Sequence, residues 1–414
     1  MKKLENNINL ALQLLVFTLP ILIIIGAFAV NSFAIIFSLY GLVNYKFLIR
    51  NNIVKRRVLF FFFSFLILIF PYDSINFQNS IVKYLAFFRF ILMLFGLIVF
   101  FSKQNTNEFF SILYKIYTIY LIIISIDVLT EQFYGSNILG YSTDYTGRIA
   151  SFTNDELIIG YIVSFLFIFS SASLYKKTHY KYFYIISILF LIISFIIGER
   201  SNFLKLFLLI LTFYLINLIY FEKLKLRIFL WIVPIFIILL TSSYEFSKNT
   251  PQGKKLFKKI NSLDIVEIKK NFYASRHASQ YFTAYNIFLN YPIFGIGINN
   301  YYEESSKRQY ENTDLQATGS RVTNHPHQLY LEIISEVGLF GSIYFFFVIF
   351  YPIYISVKAL IKSNSSFLLS HLLLHIFFVM PLFPSGSFFG TNYGIPFWFN
   401  LSILLYLTKK KNLD

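Results

Sequence analysis

The chain has 414 residues, of which 57% are hydrophobic and 14% charged, and its formal net charge is +16. Soluble globular chains carry roughly 45–50% apolar and about 25% charged residues. A water-soluble fold has too little polar material to coat such an interior, which excludes an ordinary soluble domain, and the absence of cysteine excludes a disulfide framework or a thiolate metal site.

The chain opens on Met1-Lys2-Lys3 and an apolar run. Ala27-Phe28-Ala29 resembles a cleavage triplet, but further spans follow, so the run reads as a first helix entering from the cytoplasm. Apolar segments then recur near 10–25, 27–44, 58–71, 82–101, 112–130, 157–175, 182–198, 203–220, 226–243, 338–357, 367–383 and 394–408. Backbone groups in lipid must be satisfied within the segment, so these runs predict helices, and no alternating ten-residue pattern suggests a barrel. The fold class predicted is all-α: a polytopic transmembrane helix bundle of about 12 spans, with residues 1–414 forming a single integral membrane domain. Residues 244–337, between the ninth and tenth spans, form a large polar outer loop. A structureless loop of that length is unusual, so it is expected to fold into short helices over the membrane face.

Orientation follows from Lys and Arg. With both termini cytoplasmic, the inner segments hold Lys46, Arg50, Lys55, Arg56, Arg57, Lys103, Lys176, Lys177, Lys181, Lys223, Lys225, Arg227, Lys358, Lys362 and the terminal lysines. The short outer loops hold only Lys83, Arg148 and Arg200. The positive charge is therefore topological; the partner it implies is membrane lipid, and no nucleic acid is expected.

The residues suited to chemistry lie on the outer side. Arg148, in Gly147-Arg148-Ile149, and Arg200, in Gly198-Glu199-Arg200-Ser201, run against the charge rule. An arginine near lipid is costly unless it faces a cavity or an anion, although snorkelling or pairing with Glu199 is the simpler alternative. Arg276, in Ser275-Arg276-His277, lies in the large loop. Guanidinium forks match phosphate oxygens in bidentate fashion, so the three together suit a pyrophosphate. Asn324-His325-Pro326-His327-Gln328 precedes an amphipathic stretch. Pro326 fits a first helical turn, which would place His327 in that turn. An imidazole there is either a structural cap or a general base. His325 and His327 lack further clustered ligands, so no metal is expected.

Gly295-x-Gly297 lacks a preceding strand and a third glycine, so it reads as a tight turn rather than a nucleotide fingerprint. Glu303, Glu304, Glu311 and Asp314 read as solvated. Glu332 and Glu336 share a helix face, and one of them could orient a catalytic group. His371 and His375 share a face within a span and read as polar packing, while His179 reads as solvated.

His327-Gln328, nine residues, and then Gly338-x-x-Gly341 resemble the histidine signature of O-antigen ligases and related polysaccharide polymerases. Ser342 follows where ligases more often carry Gly, Thr or Tyr. Pro292-x-x-Gly295-x-Gly297 with Tyr301 resembles the turn preceding that histidine. Arg276 resembles the family's loop arginine, Gly198-Glu199-Arg200-Ser201 its short-loop arginine, and Gly147-Arg148 with Phe152 and Asn154 an earlier arginine element. The resemblance spans residues 145–345.

It implies transfer of a glycan from a polyprenyl (undecaprenyl) diphosphate carrier, on the periplasmic face of the bacterial inner membrane, without nucleotide, metal or other cofactor. The acceptor would be lipid A-core for a ligase, or a second carrier-linked repeat unit for a polymerase; the ligase is the first expectation. His327 and Arg276 would be catalytic, with His327 accepting the acceptor's proton and the displacement inverting the anomeric centre. Arg200, Arg148 and Arg276 would bind the diphosphate, and His325 and Glu336 would support. A transporter or flippase of lipid-linked sugars is the rival class. It would mark its path with charges inside spans and repeated broken helices. Only Arg89, Lys115, Asp127 and Lys205 lie in or near spans, and no internal repeat is visible.

Overall fold

The structure is a computed structural model that describes residues 2–50, 56–143, 145, 147–177, 180–216, 265–363 and 365–409. The helices are α1 (Lys2–Ile25), α2 (Ala27–Val43), α3 (Tyr45–Arg50), α4 (Arg56–Leu68), α5 (Phe77–Ser102), α6 (Thr106–Tyr134), α7 (Ile159–Lys177), α8 (Tyr180–Ile197) and α9 (Arg200–Ile216). After the undescribed interval come α10 (Ile265–Tyr273), α11 (Arg276–Asn290), α12 (Tyr301–Ser305), α13 (Leu329–Ser363), α14 (Ser366–Val379) and α15 (Thr391–Leu407). No strand occurs among the described residues. Every apolar run read from the sequence falls on a helix as far as it is described; 226–243 and the end of 203–220, from 217, lie outside the described residues. His179 and the start of the polar loop, 244–264, also lie outside them. Among the described residues, four helices are long and apolar enough to cross a membrane: Glu5–Ile25, Phe77–Ser102, Thr106–Tyr134 and Leu329–Ser363.

Local chemistry sets the helix ends. Asn76 caps α5 by accepting the Asn79 N–H, and Ser275 caps α11 by accepting the Ala278 N–H. Gly135 ends α6 in the left-handed conformation, φ 81°, with its N–H on the Glu131 carbonyl. Between α2 and α5, Gly41 and Gly96 face each other. A Cβ at Gly96 would lie 1.9 Å from the Phe37 carbonyl oxygen, so glycine permits this close helix contact. His371 bonds the Tyr114 hydroxyl and Asn400 Oδ1, each at 2.8 Å, and His375 bonds the Ile349 carbonyl at 3.1 Å. Both are polar packing between α6, α13, α14 and α15, as their spacing suggested.

The feature that positions the site is a break in α13 at Gly338, φ 60° and ψ −165°. The turn 292–297 threads into that break. Leu339 and Phe340 donate their N–H groups to the Pro292 and Ile293 carbonyls at 2.8 and 3.3 Å. The N–H groups of Ile296 and Gly297 reach the Ser335 and Glu336 carbonyls at 3.0 and 2.9 Å. The turn thus replaces ladder bonds that the interrupted helix cannot make with itself. A Cβ at Gly295 would lie 2.5 Å from the Glu336 carbonyl group, and one at Gly338 would lie 2.4 Å from the Ile293 oxygen. Pro-x-x-Gly-x-Gly and Gly-x-x-Gly are therefore two halves of one structural device. The turn expected at Gly295-x-Gly297 is present, and it is built into the helix.

Candidate functional site

Arg148 and Arg200 are brought together by backbone. The Ile149 N–H donates to the Ile197 carbonyl at 3.1 Å, and a Cβ at Gly198 would lie 2.1 Å from the Gly147 oxygen. Only glycine at 198, φ 77°, lets the two short loops touch. Burial and then the Arg148 guanidinium lower the Arg200 pKa from its ordinary value, because each penalises a second nearby positive charge. Two buried acids on α6 hold the Arg148 loop. Glu131 accepts the Ala150 and Ser151 N–H groups, and Asp127 accepts the Ser151 hydroxyl and the Ile138 N–H. Glu199 accepts the Gly160 N–H at 3.1 Å and the Asn202 side-chain amide.

The histidines form a second group. The rings of His325 and His327 lie 4.2 Å apart, and His277, beside Arg276 at the start of α11, has its ring 6.1 Å from His327. Arg276 itself is exposed. The sequence placed His327 in a first helical turn, but α13 begins at Leu329, and Gln328 caps it by accepting the Leu331 N–H at 2.7 Å. His327 precedes the helix with φ 52°, an uncommon value for a side-chain-bearing residue. Pro326 therefore lies in the loop before the cap. Burial and then His277 lower the His327 pKa from the usual histidine value. Burial and then His327 push His325 down to about 3, against a backbone hydrogen bond at Ser385 that pulls the other way. The larger of these causes favour neutral imidazoles near pH 7, the state that can accept a proton.

One turn joins the two groups. The Ser385 N–H donates to the His327 carbonyl at 3.0 Å. The adjacent Pro384 carbonyl accepts Lys205 Nζ at 3.0 Å and the Ser201 hydroxyl at 3.4 Å, both from α9, the helix that Arg200 begins. Glu332 anchors the far side of this segment by accepting the Ser387 hydroxyl and the Phe388 N–H. The arginine pair and the histidine pair thus occupy one neighbourhood.

Several carboxylates are buried. Glu336, named from the sequence as a possible support for catalysis, is buried beside the 292–297 turn, whose Gly297 N–H its backbone carbonyl accepts at 2.9 Å. Glu304, read as solvated, is fully buried and bonds Lys307 at 2.6 Å and the Tyr310 hydroxyl at 2.8 Å. Its apolar neighbours, Tyr301 and Tyr310, fold the polar segment into a small core that the composition alone conceals. Glu311 pairs with Arg321 at 3.1 Å. Among the described residues, no group of three or more His, Cys, Asp or Glu could hold a metal ion.

The sequence reading noted Asp127 and Lys205 only as charges in spans, and gave no role to His277, Glu131 or the Pro384–Ser385 turn. The one available signal was charge inside apolar helices, at Asp127 and Lys205. Nothing local marks Ser385, which contributes a backbone N–H.

These features define a helical membrane protein in which one turn links the helix that Arg200 begins to the backbone of His327. Residues 183–346 match the family model described as O-antigen ligase. That segment, similar to O-antigen ligases, holds Arg200, Arg276, His325, His327 and the paired glycine motifs. No curated protein matches the chain.

Proposed function

We propose that the protein transfers a glycan from a polyprenyl diphosphate carrier to a sugar hydroxyl of a lipid acceptor such as lipid A-core. The reaction would occur at the periplasmic face of a bacterial inner membrane that the chain crosses about 12 times, with both termini cytoplasmic. The observation that carries this reading is the Pro384–Ser385 turn, which ties the Arg200 helix to the His327 backbone inside an O-antigen ligase-related segment.

The leaving diphosphate gains negative charge as the glycosidic C–O bond breaks. Arg148 and Arg200 are adjacent cations that would receive it, with Arg276 closing from the loop; each such contact is worth about 2–4 kcal/mol in the transition state. His327, neutral and flanked by two imidazoles, would take the proton from the acceptor hydroxyl. Attack opposite the leaving group predicts inversion at the anomeric carbon. No step calls for a metal or a cofactor.

Joining of carrier-linked repeat units, the polymerase reaction, uses the same donor and the same groups, so the acceptor alone separates it. For a transporter, the in-span charges would mark a path. Here Arg89 is bonded to Asn31 and Thr391, Asp127 to Ser151, and Lys205 to Pro384, which supports fixed structural roles instead.

The test incubates purified protein with a defined polyprenyl diphosphate glycan and each acceptor, followed by mass analysis. Transfer to lipid A-core, lost in His327→Ala and in Arg276→Ala while both variants still insert and purify, is expected. Product only with a second carrier-linked unit would make it a polymerase. Flipping without bond transfer would end the proposal.

A further inference from the structure

The turn that enters the α13 break also carries two large apolar residues outward. Ile293 is 52% and Phe294 38% exposed at its tip. The Phe294 ring lies 5.6 Å from Tyr72, in the loop before α5, and 5.9 Å from Phe340, just past the Gly338 break. Tyr72 and Phe340 are themselves exposed. Below this patch, Ile343, Phe347 and Phe350 continue an exposed apolar face along α13, one of the helices long enough to cross a membrane. Contiguous exposed apolar area of this kind marks a contact surface. Its continuity with the outward face of a spanning helix selects lipid as the occupant, and aromatic rings with a polar handle suit the level of the headgroups.

We propose that the Ile293–Phe294 tip, with Tyr72 and Phe340, inserts into the interfacial region of the outer leaflet as a membrane anchor. The turn is hydrogen-bonded into α13, and α13 begins two residues after His327. Insertion therefore fixes the depth at which the histidine pair meets the lipid surface. The inference stands apart from the glycan-transfer reading, since it needs only a bilayer.

The chain contains no cysteine, so a Phe294→Cys variant takes a single environment-sensitive fluorophore. The labelled full chain is reconstituted in phosphatidylcholine–phosphatidylglycerol vesicles carrying a nitroxide either high or low on the acyl chain. Blue-shifted emission, quenched more by the shallow nitroxide than by the deep one, is expected. A Ser306→Cys label on the polar segment after α12 should emit as in water and resist both quenchers. Water-like, unquenched emission at position 294 overturns the proposal. So does a blue shift that ignores both quenchers and grows with protein density, which would mean a second copy covers the patch. Ile293→Cys repeats the measurement if Phe294→Cys fails to give the wild-type size-exclusion profile.

Discussion

Replacing Gly338 by alanine tests the idea that the two glycine motifs form one device. At φ 60° and ψ −165° the backbone lies where a side-chain-bearing residue is strained, at a cost of about 1–3 kcal/mol. The new Cβ would also sit 2.4 Å from the Ile293 oxygen and 2.5 Å from the Gly295 nitrogen. Both are backbone atoms, so relief requires the 292–297 turn to withdraw from the break. Withdrawal endangers the bonds from Leu339, Phe340, Ile296 and Gly297, each worth about 0.5–1.5 kcal/mol net. Allowing some to survive, the total loss is roughly 3–6 kcal/mol. Gly319→Ala is the internal control: its φ is ordinary and nothing lies within 4 Å of the added Cβ, so a change within about 0.5 kcal/mol is expected. Both variants are purified in one detergent and unfolded by heat, followed by helical circular dichroism. Gly338→Ala should melt well below Gly319→Ala and the parent. If the three melt together, the turn does not depend on glycine at the break and the paired-motif explanation fails.

Arg200→Lys keeps the charge and loses the fork, so glycan transfer should fall by about 10²–10³ if phosphate is gripped in bidentate fashion; undiminished initial rates would exclude that mode. Lys205→Met keeps the length and apolar body but removes the donor to Pro384, loosening the tie between the Arg200 helix and the His327 loop. Turnover should drop by roughly 10–100-fold while the donor KM stays near the parent value, because misplacement harms the transition state more than binding; a change in KM alone would reassign Lys205 to donor binding. For pH, burial and His277 both penalise the His327 imidazolium. The acidic limb of kcat/KM should therefore have its midpoint below the unperturbed histidine value of about 6.5, and His277→Ala should move that midpoint upward. A parental limb at or above 6.5 would contradict His327 as the base.

The sequence alone was sufficient for the helices, because bilayer-length apolar runs leave the backbone one way to satisfy itself. It also marked Arg148 and Arg200 as exceptions to the charge rule and singled out Arg276 and His327 by their motifs, since charge near lipid and motif order are local properties. The tertiary structure decided how those residues relate. Arg148 and Arg200 meet because two glycine loops touch, and His327 precedes its helix because Gln328, not Pro326, sets the cap. Glu304 serves the fold because Tyr301 and Tyr310 enclose it and Lys307 and the Tyr310 hydroxyl bond it. The Lys205–Pro384–Ser385–His327 connection rests on two backbone carbonyls and one backbone N–H. Almost every residue carries those backbone groups, and only the Lys205 amine is a side-chain signal, so no spacing of side chains could have announced the connection.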